Sequence, residues 1–472
     1  MNPTRALNYA RIHRSKFVSE LKEFLRFPSV SSQRKDDITH CAKWLARHLQ
    51  SMGMEQVRLV STRGNPLVFA SWHEAQHRPT LLIYGHYDVL PGEPASNWTT
   101  PPFTPTIQGS NLHARGAADD KGQLFCHVKA LESYLRTCRC LPVNVKCLFE
   151  GEEEVGSTHL LPFIAKHKQA LRADVAVISD TKMLGPEQPA ISYAQRGGLR
   201  AEIEIRGSQQ ELHSGTFGGA VLNPIQALCE VIAGLHDRHG RITIPGFYDD
   251  VRTWSEGERE YMARTGPSDE KILHDAAVEE GWGESGFSLY ERTTARPALT
   301  LNGIVGGHYG PGIKGIIPNQ AVAKMSFRLV PDQDPERVGR LFREHIGRIT
   351  PAGVKSSVRT LSPVKPAVID RKHPAVQVAG FAYKKGFGAY PVFLRSGGSI
   401  PVVAAFEEHL GIPVVLMGFG LPQDHIHAPN ESFHLPNFYR GIDTSIWYMA
   451  ALRKALERSS RGSSSKQVEW NP

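Results

Sequence analysis

The chain has 472 residues, 40% hydrophobic and 22% charged, with 43 Gly and 32 Pro; this exceeds what one hydrophobic core usually supports, so two domains are expected, and the composition argues against a disordered chain. The formal charge of +8 comes from scattered basic residues with no aromatic-interleaved basic motif, which argues against a nucleic-acid partner and fits a surface that attracts carboxylated substrates. Six cysteines in no disulfide or zinc-ribbon spacing, no apolar region after "MNPTRALNYARIHRSK" and no 18-residue apolar span read as a soluble, cytoplasmic protein with no membrane partner.

The first element, "SKFVSELKEFLRFPSVS", sets Phe17, Leu21, Phe24 and Leu25 on one helix face, and Pro28 stops it. "PLVFASW" and "TLLIYGHYDV" follow as strands, the second too uniformly apolar to have a solvated face and therefore central. "DDKGQLFCHVKALESYL" carries a stripe of Leu124, Val128, Leu131 and Leu135, with Asp119 and Asp120 at the helix start, where the dipole favours anions. "VNVKCLF" and "DVAVISD" supply two more strands. Strands alternating with helices predict an α/β fold with a mostly parallel sheet.

After Gly197 and Gly198 the texture changes. "LRAEIEIRG" alternates like a half-exposed antiparallel strand, and a helix with Leu222, Ile225, Leu228 and Ile232 follows. An acidic helical insertion at about residues 248–291 leads to "AVAKMSFRLV", another alternating strand. "PVVLMG" and "IWYMAALRKAL" resume the first texture. The expected organisation is one discontinuous domain of residues 1–197 and 370–472, with an inserted α+β domain of residues 198–369. The run "SSRGSSSK" is low-complexity and expected to be disordered.

Open parallel sheets bind ligands outside the carboxyl ends of their strands. "LLIY" is followed by Gly85, His86, Tyr87 and Asp88; "DVAVIS" by Asp180; "PVVLMG" by a loop with His425 and His427. "VNVKCLF" runs into "EGEEEVGS", four carboxylates in five positions. Singly, His86 fits a hydrogen-bonded core histidine, the glutamates a solvated loop and Asp119 a helix cap. Converging on one edge, these carboxylates would repel one another, and divalent cations reverse that sign. Two imidazoles and several carboxylates without thiolate suit zinc or a similar ion in a catalytic site. The donors outnumber the needs of one ion, so a pair about 3.5 to 4 Å apart sharing a carboxylate is expected.

The motifs "HYDVLPG", "ARGAADDKGQ", "EGEEEVGS", "ISDT", "LHSGTFGG", "RLVPDQDP", "RSGGSIP" and "HAPNE", in that order, resemble the two-zinc amidohydrolases. That family includes carnosinase-like dipeptidases, aminoacylases, glutamate carboxypeptidase and succinyl-diaminopimelate desuccinylase, and the resemblance spans nearly the whole chain. It implies a catalytic metal-binding domain and an inserted dimerisation or lid domain. His86, Asp119 and Asp180 would hold one zinc ion, and Asp119, Glu154 and His427 the other, with manganese or cobalt as possible substitutes. His425 competes with His427, which is preferred because it carries the "HAPNE" match.

The same resemblance makes Glu153 the general base, Asp88 the residue orienting His86, and the peptide bond after Asp119 cis. His213 would cross a homodimer interface to stabilise an oxyanion, its bland alternative being a cap beside a glycine turn. Arg328 with Gly397, Gly398 and Ser399 would bind a substrate carboxylate, and His373 also matches. The implied activity is hydrolysis of C–N amide bonds in a small peptide; the alternative is deacylation of an N-acyl amino acid, and the remoter one a non-catalytic scaffold. Gly315 in "KGIIP" and Ser396 in "RSGGSIP" depart from the family pattern near the substrate.

Overall fold

The computed structural model describes residues 2–33 and 35–459. They form two compact units. The first comprises the chain up to Tyr193, Ile369–Phe393 and the chain from Pro401 onward; the second comprises Ala194–Val368 and Leu394–Ile400. The short segment Leu394–Ile400 thus groups with the second unit although the chain on either side belongs to the first. From residue 460 on, the low-complexity run lies outside the described residues.

The first unit is built on a sheet whose strands lie in the order Arg58–Val60, Leu67–Trp72, Asn144–Glu150, Thr80–His86, Val175–Ile178, Val414–Leu416 and Ala190–Gln195. The four strands from Asn144–Glu150 to Val414–Leu416 are mutually parallel. Leu67–Trp72 and Ala190–Gln195 flank them antiparallel, so the sheet is mixed with a parallel centre. Thr80–His86 is buried on both faces beyond its first residue, as its unbroken apolar run predicts.

Helix Lys121–Cys138 is buried all round through Leu135, well beyond the predicted stripe. Lys121 is tolerated there because its amine donates to the carbonyls of Phe24 and Phe27 at 3.2 and 2.8 Å. Helix Arg14–Leu25 lies where its apolar spacing places it, and the final helix, Leu435–Ser459, begins well before the expected "IWYMAALRKAL".

The second unit has an antiparallel sheet ordered Ala298–Gly306, Gln320–Leu329, Gly197–Arg206 and Lys355–Val364. Its alternating pattern buries Leu199, Ile203, Met325 and Phe327 against Leu228 and Val231 of helix Pro224–Ala233 and Phe342 and Ile346 of helix Pro335–Ile349. The acidic insertion holds helices Glu256–Thr265 and Asp269–Ala276. Their starts are fixed by Ser255 and Ser268, whose hydroxyls accept from the amides of Glu258 and Lys271.

Candidate metal centre

The four parallel strands deliver their carboxyl ends to one edge of the first unit. His86 closes its strand and lies in register with Glu150, Asp180 follows Val175–Ile178, and the loop after Val414–Leu416 brings His427 back. Asp119 stands between the two imidazoles. Its Oδ1 is 3.0 Å from His86 Nε2 and its Oδ2 is 2.9 Å from His427 Nε2, which also lies 3.3 Å from Glu154 Oε2. Two groups of donors result, His86 with Asp119 and Asp180, and Asp119 with Glu154 and His427, each with its donor atoms within 4.8 Å of one another. Asp119 belongs to both. The Asp119–Asp120 peptide bond is cis.

Supporting groups fix these side chains. Asp88 Oδ1 is 3.4 Å from His86 Nδ1, and the two Asp88 carboxylate oxygens accept from the amides of Glu153 and Glu154 at 3.2 and 3.1 Å. The His86 Nδ1 also meets the Asp88 main-chain carbonyl at 3.1 Å, so Asp88 aligns the ring through its backbone and carboxylate together, and its carboxylate holds the turn that carries both glutamates. Asp120 accepts from the His86 amide at 3.2 Å. Gly85 permits that approach, since a Cβ there would sit 2.7 Å from Asp120 Oδ2. The crowded glutamates have different partners. Glu150 accepts from Tyr84 and Ser157 at 2.5 and 2.8 Å, Glu152 pairs with His159 at 2.9 Å, and Glu153 and Glu154 share the Asp88-held turn. Tyr84 escaped the sequence reading, which placed Asp120 only as an acid at a helix start. The one signal for Tyr84 is a hydroxyl inside an otherwise apolar central strand, which needs a buried partner.

The electrostatics record an excess of negative charge. Burial, with help from Asp119, Glu150 and Glu154 against the opposing pull of His86, pushes the Glu153 carboxyl up to about 8. Burial and Asp88 push Glu150 up to about 8 as well. Asp180 and Asp120 are driven far above the carboxylate range, first by burial. Asp119 goes the other way: burial opposes its charge, but the adjoining His427 and His86 hold it well below that range. Its carboxylate, followed by that of Glu154, lifts His427 to about 10.

Among the described residues, the ion pairs of Asp119 and Glu154 are with His86 and His427, and none of Asp119, Glu153, Glu154 or Asp180 pairs with a lysine or arginine. His86 Nε2 faces Asp119 without hydrogen-bond geometry, and Asp120 Oδ1 and Glu150 Oε2 are buried without partners. A ring nitrogen and a carboxylate facing each other out of hydrogen-bond line are disposed as two ligands of one cation. The donor set fits divalent ions.

The remaining predicted residues lie elsewhere in the chain. His425 joins neither donor group. His373 caps helix Pro374–Phe387, its Nδ1 accepting from the Ala375 amide at 3.2 Å, and burial lowers its pKa. In the second unit, His213 is exposed and its Nδ1 accepts from the Gly215 amide at 3.1 Å. Arg328 Nη1 reaches Ser399 Oγ at 3.4 Å, and Arg196 Nε donates to the Gly397 carbonyl at 3.1 Å. The Gly398 amide donates to Ser396 Oγ at 3.2 Å. Gly397 must lack a side chain, because a Cβ would lie 2.5 Å from the Thr293 carbonyl. The structure thus gathers Arg328, Gly397, Gly398 and Ser399.

Residues 82–449 match the peptidase family M20/M25/M40. The chain belongs to this family. Over 461 residues this M20 peptidase is 30% identical to a Cys-Gly metallodipeptidase of Candida albicans, covering 93% of this chain and 95% of that one. Over 472 residues it is 29% identical to a Beta-Ala-His dipeptidase of Mus musculus, covering 95% of each. A solved M20 family metallo-carboxypeptidase of Sulfolobus solfataricus superposes with a TM-score of 0.85 at 32% identity, over 93% of this chain and 99% of that one. The expected family is therefore the observed one, and the M20 peptidase is a metal-dependent hydrolase of peptide bonds, of dipeptidase type.

Proposed function

We propose that this M20 peptidase is a dinuclear zinc dipeptidase for substrates with a free carboxyl terminus. The observation that carries the reading is Asp119, whose two oxygens meet His86 and His427 at 3.0 and 2.9 Å and which belongs to both donor groups. His86, Asp119 and Asp180 would hold one ion and Asp119, Glu154 and His427 the other; manganese or cobalt suits the same donors. Bound there, such ions polarise the scissile carbonyl and acidify water.

The chain's own part is positioning and proton transfer. Glu153 takes the proton that the attacking water loses, holds it on its carboxyl and hands it to the leaving nitrogen as the C–N bond breaks, a role suited to a carboxyl with proton affinity near neutrality. Asp88 keeps the His86 ring and the Glu153 turn aligned. Arg328 offers a planar fork of donors to the substrate carboxylate, with the Gly397, Gly398 and Ser399 turn beside it. His373 is assigned to the same substrate.

His213 acts on the oxyanion of a partner subunit in a homodimer, and the second unit serves as dimerisation and lid domain. The edge strand Ala298–Gly306 supports that reading, because it exposes Leu301, Ile304 and Val305 on a long unpaired edge that natural sheets otherwise protect. A cytoplasmic location is supported by six free cysteines; among the described residues, no helix is long and apolar enough to cross a membrane.

Deacylation of N-acyl amino acids is the second reading, favoured by Ser396, which bonds the Gly398 amide and offers no charge to a substrate amine. One assay separates the two. Metal-reconstituted protein is given matched dipeptides and their N-acetyl forms, and kcat/KM is compared. Preference for free dipeptides supports the dipeptidase, preference for the acetylated forms supports the deacylase, and turnover of neither overturns both.

A further inference from the structure

We propose that Glu431, the last residue of "HAPNE", is a positioning residue that fixes the segment presenting Asp119 and ties it to the loop presenting His427. The inference rests on the assignment of those two residues as metal ligands. Glu431 is fully buried. Its Oε2 accepts from Arg115 Nη1 at 2.8 Å and from the Gly116 amide at 2.9 Å; its Oε1 accepts from the Ala118 amide at 2.9 Å and from the Asp119 amide at 3.1 Å. Its carbonyl accepts from the Ala114 amide at 3.1 Å.

Two features separate this arrangement from an ordinary buried ion pair. First, the charge of Glu431 needs only Arg115, which is itself buried and lies 5.1 Å over the Trp98 ring. Three of the four side-chain bonds go instead to main-chain amides of the stretch ending at Asp119. Second, a carboxylate has about four lone-pair sites, and four donors occupy them, so Glu431 has no capacity left to act as a further ligand.

The result is a closed ring. Asp119 Oδ2 meets His427, three residues, Ala428 to Asn430, lead from His427 to Glu431, and Glu431 returns to the amide of Asp119. The loop is pinned from outside as well, since Asn430 accepts from the Thr99 amide and hydroxyl at 2.7 and 2.9 Å. Displacing Glu431 therefore moves a donor common to both groups relative to one of its imidazoles.

Glutamine at this position is not a neutral replacement. Whichever way its amide turns, the NH2 group confronts two N–H donors. The test titrates cobalt(II) into metal-free wild type, Glu431→Gln and Glu431→Asp, following the visible absorption of the bound ion, with thermal unfolding and dipeptide kinetics alongside. Wild type is expected to take two ions. Glu431→Gln should bind cobalt about ten- to a hundredfold more weakly and lose kcat with little change in KM, and Glu431→Asp, which keeps the charge but not the reach, should fall between.

Wild-type cobalt affinity, spectrum and kcat in both folded variants, with only the melting temperature reduced, would overturn the assignment. So would failure of both variants to fold, which would make Glu431 a determinant of the fold alone. If wild type itself binds no cobalt, the metal reading fails; two ions in wild type and in unaltered variants sink the inference on Glu431 and leave that reading standing.

Discussion

Within the first unit, two clusters of histidine and carboxylates look alike by residue type and distance. Glu20, His48 and Glu132 place donor atoms within 4.8 Å of one another, as do His86, Asp119 and Asp180. The first cluster contains its own cation: the buried Lys129 amine lies 2.6 Å from Glu20, 2.7 Å from Glu132 and 2.7 Å from His48. Among the described residues, the second has no lysine or arginine paired with it, only its own imidazole. The acids of the second cluster divide, where Glu132 of the first is simply held down. Burial works against the charge of Glu132, yet Lys129 and Lys16 outweigh it and hold the carboxyl down at about 2, whereas burial drives Asp180 far above the carboxylate range and only Asp119, between its two imidazoles, is held below it. Burial, then Lys129, lowers His48 to about 3, while at His86 burial is outweighed by Asp119 and Asp88, which raise the imidazole well above its ordinary value. Proximity of ligand-type side chains is thus a poor mark of a metal site, and whether a buried lysine already answers the carboxylates is the better one.

The largest expected effect breaks the second cluster. Asp119→Ala should abolish both activity and metal content, because the shared carboxylate serves both donor groups; elemental analysis and a dipeptide assay check it. Glu153→Gln comes next, losing about 10²- to 10⁴-fold in kcat as a missing general base does while retaining metal. If Glu153→Gln loses its metal and Glu154→Gln keeps it, the roles of base and ligand are exchanged.

How much of this was legible beforehand depended on whether the signal was local. The central strand Thr80–His86 announced itself through an unbroken apolar run, and the candidate ligands His86 and Asp180 through polar residues at the ends of such runs; Asp119 stood at a helix start, and the choice of Glu154 and His427 among their neighbours came from the resemblance alone. Strand Lys355–Val364 gave no such sign, because none of its residues is fully buried and no apolar alternation results. Glu431 was visible only as part of a motif; its partners at Ala118 and Asp119 are more than three hundred residues away in sequence and are met only on folding. The Lys129 network was hidden for the same reason, with Glu20 109 residues and His48 81 residues distant. On a buried helix face, a lysine reads as an anomaly until its carboxylates are found.

Lys129→Met tests the first cluster. Removing the cation leaves Glu20 and Glu132 crowded and uncompensated, so stability should fall by about 3–5 kcal/mol, the usual cost of breaking a buried pair from one side. Metal content should be unchanged. Chemical denaturation paired with elemental analysis checks both; loss of metal in this variant would show that the two clusters are not independent.

The smallest effect asks which ammonium neutralises the first cluster. Lys16 also touches Glu132, at 2.6 Å, but its side chain is 44% exposed against none for Lys129. Solvent screens such a contact, so Lys16→Met should cost at most about 1 kcal/mol at pH 7. The pH dependence sharpens the point. Glu132 titrates at about 2 in the folded protein against an ordinary 4.5, and its folded-state pKa is therefore depressed. Stability from its ion pairs is fully present above about pH 4.5 and is lost as pH falls toward 2, where the unfolded chain has already taken up the proton. The difference between wild type and Lys16→Met, measured by urea denaturation from pH 7 to pH 2.5, should accordingly shrink with falling pH, because a protonated Glu132 has no charge for either lysine to meet. A Lys16→Met cost equal to that of Lys129→Met would mean that the exposed amine carries the cluster, and the contrast between a site with a buried internal cation and one without would have to be redrawn.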